Sequence, residues 1–180
     1  YAAQGGGDVG LLFVSLPDEE SYSSGMRTAV PMLKELRDTY GLSYRVLINS
    51  EPNEKKNGKI VAFTGSVGKL LPVVLVQGKS VHVGNYRQGI NPLGIVSRII
   101  AATEGDASLA DRCGEEMTPP PAWIYLRDRK QHYDVSLPQR VAACANFMTY
   151  TKTPEDVMYI LRNVAQEAVA EALQHVDDGL

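Results

Sequence analysis

The order of apolar segments in the first fifty residues constrains the fold most. Residues 9–16 (VGLLFVSL) form an apolar run, as a strand buried on both faces of a sheet requires. Residues 17–20 break it. Met26, Val30, Leu33, Leu36 and Tyr40 then recur at helical spacing, with Arg27, Lys34, Glu35, Arg37 and Asp38 mostly on the other side. Ser21, Ser23 or Ser24 is placed to cap that helix by accepting from a free backbone N–H. Gly41 is placed to end it. Pro31 removes one internal hydrogen bond and should kink it. Residues 44–49 (YRVLIN) read as a second strand. Strand, helix and strand joined by short links predict a parallel, right-handed crossover.

Residues 51–58 read as a surface loop, and 59–71 as either an extended segment or a short irregular helix. Residues 72–76 (PVVLV) form a strand, 77–80 a turn, and 81–86 the returning strand of a hairpin. Asn91-Pro92 opens a helix through Ile95, Ile99 and Ile100 that ends near Gly105. The expected organisation is a flexible lead-in at 1–8, an α/β domain at 9–106, a linker at 107–121 and a mainly helical extension at 122–180. The linker ends in three stiff prolines. In the extension, 123–126 is a short strand candidate and 136–150 is read as a helix with Pro138 in its first turn. Thr153-Pro154-Glu155-Asp156 starts a last helix: a cap, a proline and two acids in the positive first turn. Its apolar stripe of Val157, Ile160, Leu161, Val164, Ala168, Ala172 and Val176 would dock on the domain or on a partner.

At 180 residues the chain is long enough for one domain with its own core. Its net charge of −3 gives no polyanion-binding signal. No apolar run nears the roughly 18 residues of a membrane span. His82, His132 and His175 show no metal-ligand spacing, and no metal or cofactor is implied. Residues 63–69 include a glycine-rich turn but not the G-x-x-x-x-G-K-[ST] phosphate loop. Asp18-Glu19-Glu20 could join a base in catalysis; a surface or helix-start role is the commoner use of such a run. Cys113 and Cys144 fit neither C-x-x-C nor zinc spacing. Spacing alone leaves a disulfide and two separate thiols equally open.

The element order β-α-β, then β-β-α, is that of the thioredoxin fold, a mixed sheet with helices on both faces. The helix start at 22–31 (YSSGMRTAVP) resembles a thioredoxin active site without its chemistry. Tyr22 stands where that family has Trp. Ser23, Ser24, Gly25 and Met26 stand where it has C-x-x-C. Pro31 matches its kinking proline, and Pro72, preceded by Leu71, matches the cis-proline that faces the thiols across a groove. Without a dithiol, no thiol–disulfide exchange is expected there.

A narrower resemblance is to the TrbC-type pilin assembly proteins, and the related TraF-type proteins, of F-like conjugative type IV secretion systems. It rests on LLFVSLPDEES at 11–21, LRDTYGLS at 36–43 and LLPVVLVQGKSVHVGNYRQGINPLGIVSRIIAATEGD at 70–106. Residues 107–180 have no counterpart in it. The resemblance implies a periplasmic, non-enzymatic assembly factor that binds other transfer proteins, with no nucleic acid and no membrane span. A periplasmic setting would favour a Cys113–Cys144 disulfide.

Three functions follow as expectations. The first is a redox-inert thioredoxin-like binding module using the groove near Tyr22, Ser23, Leu71 and Pro72 or the last helix. The second is a thiol–disulfide oxidoreductase or isomerase with Cys113 and Cys144 as a displaced pair. The third is an anion-binding enzyme around residues 63–69.

Overall fold

A computed structural model of the chain describes residues 10–50 and 55–177. The expected lead-in at 1–8 lies outside them. The chain divides into two compact units, Tyr1–Val61 and Ala62–Leu180.

The first unit is built on helix α1, Ser24–Tyr40. Gly41 ends it as expected, at φ 63°, and its N–H donates back to the Arg37 carbonyl. Pro31 lies within the helix, which continues past it. Strands β1 (Lys55–Lys56) and β2 (Lys59–Ile60) pair antiparallel across Asn57-Gly58, both at positive φ, as a tight hairpin turn demands. The expected β-α-β crossover does not form among the described residues. Residues 10–16 and 42–50 flank α1 but lie in no strand. Their composition suits strands, but no β-ladder among the described residues includes them.

The second unit is an antiparallel sheet with helices on one face. Its centre is β8, Arg140–Thr149. Along one side of β8 run β3 (Gly68–Leu70) and β4 (Val73–Gln77), and along the other β7 (Ala122–Asp128). Leu71-Pro72 separates β3 from β4 on this outer strand line, where a residue without an N–H costs least. All strand pairs among the described residues are antiparallel.

Side chains of β8 alternate strictly. Val141, Ala143, Ala145, Phe147 and Thr149 are buried, and the residues between them are half-buried. The buried row meets helices α2 (Pro92–Thr103) and α3 (Pro154–Asp177). Val96 packs with Val141 and Ala143, and Val157 and Leu161 with Ala145 and Phe147. Ile95, Ile99 and Ala168 close the seam between the helices. Trp123 of β7 packs against all three clusters, and its ring N–H donates to the buried Thr103 hydroxyl at 2.9 Å. Both helix starts follow the sequence. Asn91 accepts from the Leu93 N–H with Pro92 at the first position. Thr153 and Asp156 bond each other's N–H groups reciprocally.

Several expectations need correction. Residues 136–150 are not a helix: 140–149 form β8, because its apolar residues recur every second position. The extension at 122–180 therefore holds two long strands as well as α3. Residues 81–86 are not a returning strand. Only Lys79 and His82 make bridges, to Ile90 and Ser136, and Val83–Gln88 coils into a 3-10 helix. The segment 107–121 is more than a linker, with a 3-10 turn at Ala107–Leu109 and a hairpin of β5 (Arg112–Cys113) and β6 (Glu116–Met117). The expected boundary at 106 falls inside the second unit, and the chain divides after Val61 instead.

Candidate functional site

The turn before α1 carries the resemblance to a thioredoxin active site, and its geometry is that of a strained acidic turn. Asp18 sits at φ 66° and Ser23 at φ 50°, both left-handed and both unfavourable for side chains with a Cβ. The Ser23 N–H donates to the Asp18 carbonyl at 2.7 Å, which closes the turn. Ser23 is the N-cap by position, but its hydroxyl donates to the Glu19 carbonyl and caps nothing. The capping oxygen is Asp18 Oδ2, which accepts from the Ser24 N–H at 3.2 Å. The hydrogen bonds from Ser24 hold the Asp18 carboxyl below its ordinary value. Gly25 is fixed by close approach: a Cβ there would stand 2.7 Å from Pro17. Tyr22 and Met26 are exposed. The stretch from Tyr22 to Met26 thus holds a turn closed over a helix end. A groove of about 610 Å³ runs beside it, lined mainly by Leu12, Leu16, Ala29, Met32 and Leu36.

Leu71 and Pro72 belong to the second unit. No peptide bond among the described residues is cis, so Pro72 is not the cis-proline expected of it. Its carbonyl accepts from the Ala145 N–H and ties the outer strand line to β8. Cys113 is exposed in the β5–β6 hairpin, Cys144 lies mid-way along β8, and both are free thiols. Gly65 and Ser66 lie in an irregular exposed stretch, and Gly68 opens β3. No group of three or more His, Cys, Asp or Glu among the described residues is placed to hold a metal ion. No helix among them is long and apolar enough to cross a membrane.

Two features of the second unit had no advance signal. The first is Asp111, whose side chain is 5% exposed. Its Oδ2 accepts from the N–H groups of Tyr150, Thr151 and Lys152 at 2.6–2.8 Å. Its Oδ1 accepts from the Thr151 hydroxyl and the Arg112 N–H, with Lys152 Nζ at 3.7 Å. This carboxylate fastens the 107–118 segment to the turn between β8 and α3. Burial pushes its pKa up, but the N–H donors of Lys152, Thr151 and Tyr150 outweigh burial and hold it well below the carboxylate range.

The second feature is the sheet face away from the helices. Val73 and Leu75 of β4 pair with Cys144 and Ala142 of β8, and Tyr125 of β7 pairs with Cys144 from the other side. These residues form an apolar strip that neither α2 nor α3 covers. Val73 is 69% exposed, Leu75 63% and Tyr125 43%. Asn146 is two residues along β8 from Cys144, and its buried Oδ1 has no hydrogen-bond partner. At one end of the sheet, His82 is exposed and accepts the Gly84 N–H through Nδ1, leaving Nε2 to carry the neutral ring's proton.

No family model matches the chain. It is similar to two Bacillus subtilis (strain 168) proteins. Protein RocB is 33% identical over 171 residues, which cover 93% of this chain and 30% of RocB. The uncharacterized protein YqjN is 31% identical over 169 residues, covering 92% of this chain and 31% of YqjN. The chain spans about a third of the length of these relatives, and alignments this long reach into both compact units.

Asp111 makes stability depend on pH. A folded pKa below the unfolded value contributes stability that is complete above the unfolded value, near 3.9, and is lost as pH falls toward the folded one. Thermal unfolding followed from pH 7 to pH 2.5 should hold level to about pH 5 and then fall. Asp111→Asn should lower stability at pH 7 by about 2 kcal/mol or more, since it turns an acceptor of several N–H groups into a poorer one. It should also flatten part of the acid decline, leaving the share of Asp18, Asp106, Asp134 and Asp156, whose carboxyls are likewise held low.

Proposed function

We propose that residues 62–180 are a protein-binding module without redox activity, which docks a partner protein on the helix-free face of the sheet. The exposure of Val73, Leu75 and Tyr125 side by side carries this reading. An uncovered apolar strip on an otherwise well-packed sheet is costly in water and is the ordinary mark of a contact surface. Cys113 and Cys144, the module's two cysteines, stand as separate free thiols, which supports the lack of redox activity. A narrower form of the proposal is a thioredoxin-like assembly factor for conjugative pili in the periplasm. It rests on the likeness of 11–21, 36–43 and 70–106, of which only 70–106 lies in this module, and the names of the two relatives add nothing to it.

Cys144 lies on the proposed surface and reports on it. Alkylation of Cys144 should be slow in native cells and fast in the purified protein. Val73→Asp with Leu75→Asp should raise the in-cell rate to the purified one. Equal rates in the unsubstituted protein would refute the binding surface. A rate of insulin reduction above background that vanishes with Cys113→Ser and Cys144→Ser would favour the oxidoreductase instead.

A second reading is favoured by one observation, the left-handed Asp18. Strained non-glycine backbone concentrates at functional sites. Here it immediately precedes Glu19 and Glu20, both exposed, where an apolar run hands over to a helix. In open α/β sheets ligands bind at that end of a strand. On this reading Glu19 and Glu20 serve acid–base chemistry or ligate a cation, with the remaining groups supplied by polypeptide outside 1–180. Elemental analysis of the whole polypeptide should then find a divalent metal that Glu19→Gln or Glu20→Gln reduces. An unchanged metal content in both variants, or no metal in any, would remove the cation version.

A further inference from the structure

The first unit leaves two apolar runs bare. In residues 11–14 exposure alternates: Leu11 is 82% and Phe13 85% exposed, while Leu12 and Val14 are half covered, and 12–14 all line the groove beside α1. In the second run Val46, Leu47 and Ile48 are consecutive and 79%, 84% and 86% exposed. Neither run belongs to a β-ladder. Three neighbouring apolar residues cannot share one face of an extended chain, because successive side chains point to opposite sides. Val46–Ile48 therefore needs cover on both faces, the signature of an inner strand of a parallel sheet with a helical layer on each side. The 17-residue α1 that joins the runs suits the crossover such a sheet requires.

We infer that residues 11–16 and 44–49 are inner strands of an α/β sheet whose other strands and second helical layer come from polypeptide outside residues 1–180. The relatives' length identifies the source. They are about three times as long as this chain, and their similarity reaches into this unit. Over twice as much further polypeptide accompanies the unit there, ample for the missing layers. One layer is already present: α1 half covers Leu12 and Val14 and lends its Leu33 carbonyl to the Tyr44 hydroxyl at 2.9 Å. The inference concerns the first unit only and stands apart from the binding surface proposed for the second.

Hydrogen exchange on the whole polypeptide tests it. The amides of residues 11–16 and 44–49 should be protected roughly 100-fold or more over exposed chain, at every protein concentration. Exchange near the rate of unstructured chain overturns the inference. So does protection that appears only as the protein self-associates, which would make a second copy the cover. Leu47→Lys should lower the unfolding temperature of the whole polypeptide or prevent its folding. Tyr22→Lys, equally exposed but outside both runs, should leave it unchanged. A Leu47→Lys protein as stable as the Tyr22→Lys protein overturns the inference.

Discussion

The burial of alternate side chains along β8 is the constraint on which the second unit depends. A strand has two faces, and Val141, Ala143, Ala145 and Phe147 commit one of them to α2 and α3. Ala143 and Ala145 take little room beneath the helices, while Phe147 supplies bulk to one core cluster and Trp123 packs against all three. Shifting the register by one residue would put Cys144 and Asn146 under the helices and expose Phe147, so the pairing with β3, β4 and β7 is fixed from the core outward. The same commitment leaves Val73, Leu75 and Tyr125 on a face the unit's own helices do not cover. Packing and the proposed binding function are two sides of one strand.

The fixed points around this core are polar. Asp111 binds three successive N–H groups where β8 turns into α3, and so holds the long helix in place from a segment some forty residues earlier. Thr103, buried under Trp123, accepts its ring N–H and donates to the Ile99 carbonyl. Each of these groups would be costly if unpaired, and each joins elements distant in sequence. The Asn146 Oδ1, buried without a hydrogen-bond partner, departs from this pattern.

Features with a local cause were legible in the sequence. Gly41 ends α1 because only a left-handed residue closes that turn, and Asn91-Pro92 and Thr153-Pro154 start helices through their own caps. PVVLV formed the expected strand. Residues 140–149 did not read as a strand because Ala, Cys and Met suit a helix and Pro138 mimics a helix start. The deciding signal, apolar residues at 141, 143, 145 and 147, has period two. The cap on α1 comes from Asp18, six residues before the N–H it serves, and the nearer serines concealed it. Asp111 gave no signal because its partners lie 39 to 41 residues away. The apolar runs of the first unit read as sheet strands but stand in no β-ladder among the described residues, so composition alone did not form them into one.

The central claim is that the helix-free face of the sheet holds another protein. Photo-cross-linking tests it most directly, with p-benzoylphenylalanine in place of Leu75 and, as a control, in place of Tyr159, an exposed residue of α3. Irradiation in the native cell should join the probe at position 75 to one discrete protein and leave the probe at 159 at background. A position-75 probe that forms no adduct above the position-159 background would contradict the claim.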